Sequence, residues 1–361
     1  MSDNRPFFSL IIPCCDVEQY VRECLDSVLG QQFQSWECLI GVETSKDHTE
    51  DVVREYATKD SRFKVFTGPR SGSCSASRNT GTDMATGEYV IFLDGDDTIV
   101  EGSLQRIHDK IAARPCADLY PCAIVVRNEI TGKDEETRDN YPKDFIDELT
   151  GQEATLMLER IFAWSFPCPM LQLTVFRRAF LVGNDLKCIY GLRHQDSEFS
   201  PRALYLAKRV IPIHEPFYIY RIRENSVQTE GGRAGRFHKD LAIRMKSLIS
   251  FNARVSHDQK FDKRIAKAWA RRWTGTIYRM WFAPNSVSTL PIETRMETLG
   301  MIFAEGSEDF DTLLKSASVD ARIAGWWVKA SLRGPQWRKF AELFFKAIYF
   351  PLRRVMRDAR S

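Results

Sequence analysis

None of the nine cysteines stands in a CxxC pair; they fall at 14, 15, 24, 38, 74, 116, 122, 168 and 188. That scatter offers neither a zinc framework nor a disulfide framework. Most sit inside apolar runs, where cysteine behaves as a small buried hydrophobe. An odd count without pairing implies a reducing compartment. No stretch approaches the ~18 consecutive apolar residues that a membrane span requires. Met1 to Pro6 is polar and lacks the charged-then-apolar build of a signal peptide. The expected location is therefore the cytoplasm, with a place on the inner face of the cell membrane left open. Charge of one sign is also scarce: the net value is +3. Composition thus gives no sign of a nucleic-acid binder. No internal repeat is present.

What remains is an ordinary globular composition, 43% hydrophobic and 27% charged. Two or three domains are expected at roughly 100–200 residues each. Phe8 to Ile12 reads as a buried strand stopped by Pro13. Asp16 then reads as an N-cap with Gln19 as its partner. Val17, Tyr20, Val21, Cys24, Leu25 and Val28 recur at helical spacing. Further strands are expected over 36–42, 63–66, 89–93 and 119–126. Helices are expected around Val52 to Tyr56, over 76–85 and over 102–114. Strands alternating with helices imply a parallel sheet with right-handed crossovers. Such sheets bind ligands beyond the carboxyl ends of their strands.

The run Phe92-Leu93-Asp94-Gly95-Asp96-Asp97 follows the apolar Tyr89-Val90-Ile91, so three carboxylates appear where a strand ends. Clustered carboxylates repel unless a cation or water intervenes. Hard oxygen ligands of this kind suit Mg²⁺ or Mn²⁺. An acidic turn capping the next helix is the alternative, a role open to Asp97. The segment after Ile12 and Glu43 fall at two further strand ends.

Residues 127–145 are polar and read as a hairpin or loop at a boundary. Residues 150–230 are less regular and rich in aromatics. From Phe237 the pattern turns helical, with Leu241, Met245, Leu248 and Ile249 on one helix and Ile265, Trp269 and Trp273 on another. Three divisions are expected: 1–126, 127–230 and 231–361. Residues 326–360 carry nine Lys or Arg against Glu342 and Asp358, interleaved with Trp, Phe, Tyr and Ile. Trp337, Phe340, Phe344 and Ile348 share one helical stripe. This describes a membrane-surface helix. A packed helix with a solvated basic face reads equally well.

Taken in order, these pieces resemble the family 2 inverting glycosyltransferases of the GT-A fold. The carriers run from Leu10-Ile11-Ile12-Pro13, Val17-Glu18-Gln19-Tyr20 and Cys24-Leu25-Asp26-Ser27-Val28 to Ser75-Ala76-Ser77-Arg78-Asn79-Thr80-Gly81. Ala85-Thr86-Gly87-Glu88-Tyr89 then leads into the carboxylate run, and Gln195-Asp196-Ser197-Glu198-Phe199 and Tyr218-Ile219-Tyr220-Arg221 follow. The resemblance implies a mostly parallel, Rossmann-like α/β sheet flanked by helices, with a C-terminal helical region. It implies a nucleotide-sugar donor, a UDP-sugar above others, and a glycan or lipid-linked glycan acceptor in cell-surface polysaccharide synthesis.

The family's DxD motif maps onto Asp94-Gly95-Asp96, with Asp94 and Asp96 holding Mn²⁺ or Mg²⁺ and Asp96 the more direct ligand. Pro13, Glu43, Arg78, Asp94, Gly95 and Asp96 would line the donor site. Glu43 stands where the family usually has an aspartate for the nucleotide base. Gly95 would let backbone approach the sugar or ribose, and Arg78 would meet the diphosphate. Asp196 maps onto the general base, with Glu198 in reserve. The family's acidic pair there is Gln195-Asp196 in this chain. Arg221 or Arg223 would touch diphosphate, and His194 and His214 are remote candidates for metal. A sugar nucleotidyltransferase is a rival reading, but Cys14-Cys15-Asp16 lacks the Gly-rich basic loop it needs. A non-catalytic module that kept the fold is the other.

Overall fold

The computed structural model describes residues 5–138, 147–161, 171–223, 233–256, 262–269, 300–303, 307–315 and 319–344. The chain divides into two compact units, Met1–Leu158 with Phe166–Glu230, and Glu159–Ser165 with Gly231–Ser361. Positions 1–126 and 127–230 therefore share one unit, apart from the short segment 159–165.

Among the described residues the first unit holds a nine-stranded sheet. Its strands are β1 Phe8–Cys14, β2 Trp36–Glu43, β3 Phe63–Gly68, β4 Tyr89–Phe92, β5 Thr98–Ile99, β6 Leu119–Asn128, β7 Lys133–Arg138, β8 Thr174–Arg177 and β9 Ile213–Ile222. Helices α1 Glu18–Leu29, α2 Thr49–Lys59, α3 Ser75–Met84, α4 Ser103–Ala113, α5 Gly151–Ile161, α6 Arg178–Gly183 and α7 Asp196–Leu206 lie between them in sequence. Across the sheet the order is β3-β2-β1-β4-β8-β6-β9-β5, with β7 on β6.

The β3-β2-β1-β4 half is parallel throughout. Every residue of β1 and β2 is buried, as strands covered on both faces require. Val21, Cys24, Leu25 and Val28 of α1 are buried in the same core. Beyond β4 the sheet is mixed. The pairs β4–β8, β6–β8, β5–β9 and β6–β7 are antiparallel, while β6–β9 is parallel. The polar stretch after Arg127 is a hairpin, β6–β7, turning through Gly132 at φ 61°. Residues 139–146 lie outside the described residues.

Asp16 is not the cap of α1. Its backbone is left-handed, at φ 53°. Its carboxylate accepts from the Lys46 N–H at 2.7 Å and from Arg70 at 2.6 Å. The start of α1 is held from a distant loop instead. Thr49 Oγ1 accepts from the Val17 N–H and Asp47 from the Glu18 N–H, while Glu18 accepts from the His48 N–H. The loops after β1, β2 and β3 are thereby laced together at one rim of the sheet.

The opposite rim is fixed by a buried carboxylate. Glu37 Oε1 accepts from Ser9 Oγ at 2.7 Å and from the N–H and Oγ1 of Thr86 at 2.7 and 2.8 Å; Oε2 accepts from Lys64. Burial opposes ionisation there, but the bonds from Lys64, Thr86 and Ser9 outweigh it and bring the group from 4.5 to about 2. A depressed carboxylate stabilises the fold above its unfolded value, and that stability vanishes as pH falls through the folded value. The shift corresponds to about 3 kcal/mol at neutral pH. Glu37→Gln is therefore expected to lower the melting temperature at pH 7, with the gap to wild type closing toward pH 2. Parallel melting curves across that range would show that Glu37 does not carry the stability.

In the second unit, α8 Arg233–Val255 buries Leu241, Met245, Leu248 and Ile249. Trp269 is buried, and Trp273 lies outside the described residues. Three further helices are Ser307–Lys315, Val319–Ser331 and Pro335–Phe344. Among the described residues no helix is long and apolar enough to cross a membrane.

Candidate active site

The carboxylate run leaves the end of β4 in the middle of the sheet. Register decides what faces it. β4 and β8 pair Tyr89 with Arg177 and Val90 with Phe176. Continuing that offset sets Gln172, in the 3-10 turn Leu171–Leu173, level with Asp94. Its Nε2 donates to Asp94 Oδ2 at 2.6 Å. On the other side β5 and β9 pair Thr98 with Ile219 and Ile99 with Tyr218. The same offset brings Arg221 level with Asp96, and Arg221 Nε donates to the Asp96 carbonyl at 2.9 Å.

Arg78, on the buried face of α3, donates to Asp94 Oδ1 at 2.5 Å and to Gln195 Oε1 at 3.3 Å. One guanidinium thus links the carboxylate run to the residue preceding Asp196. The turn into α7 makes this reachable. His194 takes a left-handed φ of 51°, and its carbonyl accepts from Ser197 Oγ at 2.8 Å. Asp196 is half-buried on the first turn of α7, and its carboxylate has no hydrogen-bond partner among the described residues. Glu198 is buried and held by Arg202 Nε at 2.7 Å and Nη2 at 2.8 Å. That ion pair commits Glu198 to the helix and sets it apart from Asp196.

Asp96 accepts from Arg223 Nη2 at 2.8 Å, and Arg223 lies over the Tyr20 ring at 4.5 Å. Burial, then the charge of Asp94, pushes the Asp96 carboxyl up, against the pull of Arg223. Asp97 does not cap the next helix; Gly102 occupies that position. Asp97 is buried, accepting from Tyr218 Oη at 2.5 Å and the Arg221 N–H at 2.8 Å. Burial, then Asp96 and Asp94, holds its carboxyl well above the ordinary range. The Arg221 side chain pairs with Glu23 and Glu129, which makes it a strut. Burial, then the charge of Asp96, also keeps the Cys14 thiol protonated, so it is no nucleophile.

Gly95 is constrained by its own neighbours in the fold. A Cβ there would lie 2.9 Å from Cys14 Sγ and 3.1 Å from the Pro13 carbonyl oxygen. Pro13 is buried in β1 and meets the run through this contact. Gly95→Ala is expected to lower stability by about 1–3 kcal/mol, because a backbone carbonyl cannot step aside. Denaturant melts check it; an unchanged midpoint would mean the loop relaxes freely.

Glu43, at the end of β2, accepts from the Ser71 N–H at 2.8 Å and Ser71 Oγ at 2.6 Å. It holds the loop after β3, and a carboxylate retains lone pairs for a further donor. His214 lies in β9. Among the described residues no group of three or more His, Cys, Asp or Glu forms a preformed metal cage.

The donor set nonetheless fits a hard cation. Mg²⁺ is commonly held by one or two carboxylates together with substrate phosphates, without a dedicated cage. Asp94 and Asp96 supply such carboxylates, and Arg223 already supplies positive charge against Asp96. Two buried polar atoms beside Asp94, Gln172 Oε1 and Arg78 Nε, lack hydrogen-bond partners among the described residues. The amide oxygen of Gln172 can accept from a cation or a water, and the Arg78 N–H can donate to an anion such as phosphate. Gln172 carries no motif; only the antiparallel register reveals it.

Fold and site together define a class: a GT-A sheet whose strand ends gather carboxylates and guanidinium groups. The Glycosyl transferase family 2 profile matches residues 9–169. A glycosyltransferase of Bacillus subtilis named for teichuronic acid biosynthesis, TuaG, is 31% identical over 242 residues, 61% of this chain and 90% of that protein. The uncharacterized glycosyltransferase EpsJ of the same organism is 30% identical over 62% of this chain, which spans only 63% of EpsJ. The crystal structure of S. aureus TarS 1–349 in complex with UDP-GlcNAc has a TM-score of 0.68 at 20% identity, covering 94% of this chain and 91% of that one. That likeness is one of fold. The chain belongs to glycosyltransferase family 2.

Proposed function

We propose that the chain transfers one sugar from a nucleotide-sugar, with inversion, to a hydroxyl of a glycan in cell-surface polysaccharide synthesis. The observation that carries this reading is the Asp94–Arg78–Gln195 chain, which couples the carboxylate run to the neighbour of Asp196. TarS was solved with UDP-GlcNAc and with UDP, which supports a UDP-sugar as donor. The name of TuaG supports a cell-surface polysaccharide as product.

Asp94 and Asp96 are the residues that would hold Mn²⁺ or Mg²⁺, whose charge would offset that developing on the departing diphosphate. Gln172 and Arg78 fix the orientation of Asp94 by occupying one of its oxygens each. Arg223, already over Tyr20 and against Asp96, is the cation best set to meet an arriving phosphate. Its fork matches phosphate oxygens. Asp196 removes the proton of the acceptor hydroxyl. The acceptor oxygen bonds to the anomeric carbon as the bond to diphosphate breaks, and the proton stays on Asp196.

A binding module that has lost turnover is the rival reading, since Gln195 is neutral where the family carries an acid. Released UDP, measured from UDP-sugars with and without Mn²⁺, separates the two. Turnover with inverted configuration at the anomeric carbon supports the transferase. Tight nucleotide binding without turnover for any sugar or acceptor supports the module.

A further inference from the structure

The helices Val319–Ser331 and Pro335–Phe344 pack on one another through Trp327 and Phe344, stacked at 5.0 Å between ring centroids. The inner side of the first helix is taken. A Cβ on Gly325 would collide with Leu314 of the helix Ser307–Lys315, and Lys329 pairs with Asp311 at 2.6 Å. Among the described residues the outer side is uncovered and aromatic. Trp326 is 48% exposed, Trp337 39%, Phe340 58% and Leu343 61%. Trp326 and Trp337 meet edge-on at 6.2 Å, and Trp337 and Phe340 at 6.5 Å, so these rings form one patch. Ile323, 46% exposed, extends it by one helical turn from Trp326.

Cations rim this patch. Arg333 lies 5.6 Å from the centre of the Trp337 ring. Exposed Arg322 and Lys339 adjoin Ile323 and Phe340 in sequence. Contiguous exposed apolar surface rimmed by charge marks an interaction site. Tryptophan and phenylalanine beside Lys and Arg suit the headgroup boundary of a bilayer, where rings sink and cations meet anionic lipid. The basic excess continues along the sequence: residues 345–361 add Lys346, Arg353, Arg354, Arg357 and Arg360 against Asp358.

We propose that this helical pair docks the protein on an anionic membrane surface, with Trp326, Trp337, Phe340 and Leu343 in the interface and Arg322, Arg333 and Lys339 on the headgroups. The docking does not depend on the transferase reading, because none of these residues belongs to the nucleotide site.

The test is sedimentation of the full chain with vesicles of phosphatidylglycerol and phosphatidylcholine, against phosphatidylcholine alone, at low and high salt. Wild type is expected to pellet with the anionic vesicles at low salt and to be released by high salt. Phe340→Ser with Leu343→Ser is expected to weaken binding by about tenfold or more. Lys339→Gln, at an exposed position, is expected to weaken it by about fivefold. Circular dichroism establishes that each variant is folded, and if the double variant is not, Lys339→Gln decides. Wild type left in the supernatant with anionic vesicles overturns the proposal. So does equal pelleting of wild type and folded variants. A concentration-dependent dimer with no vesicle binding would assign the face to a second copy of the chain.

Discussion

Asp196→Asn is expected to slow sugar transfer by about 10²–10⁴-fold while nucleotide affinity stays within about twofold of wild type. The amide keeps the size and the helix position but cannot take a proton. Among the described residues the Asp196 carboxylate has no side-chain partner, whereas its neighbour Glu198 is locked to Arg202. The split between rate and affinity is what distinguishes a base from a structural residue. Single-turnover rates and calorimetric nucleotide binding on the same preparation measure it. A transfer rate within a few-fold of wild type would move the base elsewhere in the site.

Asp96→Asn is expected to act on both quantities. It should lower transfer by at least about a hundredfold and remove the cation dependence of nucleotide binding. The carboxylate is partly buried beside Asp94, and Arg223 offsets its charge. Substitution would remove the charge that faces Arg223 and leave Asp94 as the one remaining carboxylate of the pair. Circular dichroism and a binding titration with excess chelator accompany the rate measurement. A variant that still binds nucleotide more tightly with Mn²⁺ would assign the cation to other ligands.

The parallel half of the sheet was readable in the chain because its strands are apolar runs buried on both faces and its helices keep strict spacing. Val21, Cys24, Leu25 and Val28 are a direct case. The other half was not. β5 has two residues and β8 four, too short to show any period. β9 mixes buried and half-buried positions and contains Pro216, which blurs its alternation. Asp94, Asp96 and Arg78 were readable as chemistry, because a carboxylate run at a strand end and an arginine after a Gly/Ser loop are local features. Their partners were not, because Gln172 reaches Asp94 through pairing between strands some 80 residues apart in sequence. Asp16 shows the complementary failure. Its residue type suits a cap, yet a left-handed backbone turns it toward Lys46 and Arg70 while Asp47 and Thr49 hold the helix start. The close contact of Gly95 with Pro13 and Cys14 was equally hidden, because β1 and the carboxylate run lie far apart in sequence.

If the carboxylate run after β4 holds a nucleotide diphosphate through a divalent cation, both Asp96 and the cation are needed for tight binding. Calorimetric titration of UDP into wild type and Asp96→Asn, each with Mn²⁺ and with chelator, tests it most directly. Tight binding is expected only for wild type with Mn²⁺, and weak binding in the other three titrations. UDP affinity that is the same in wild type and variant, with and without Mn²⁺, would contradict it.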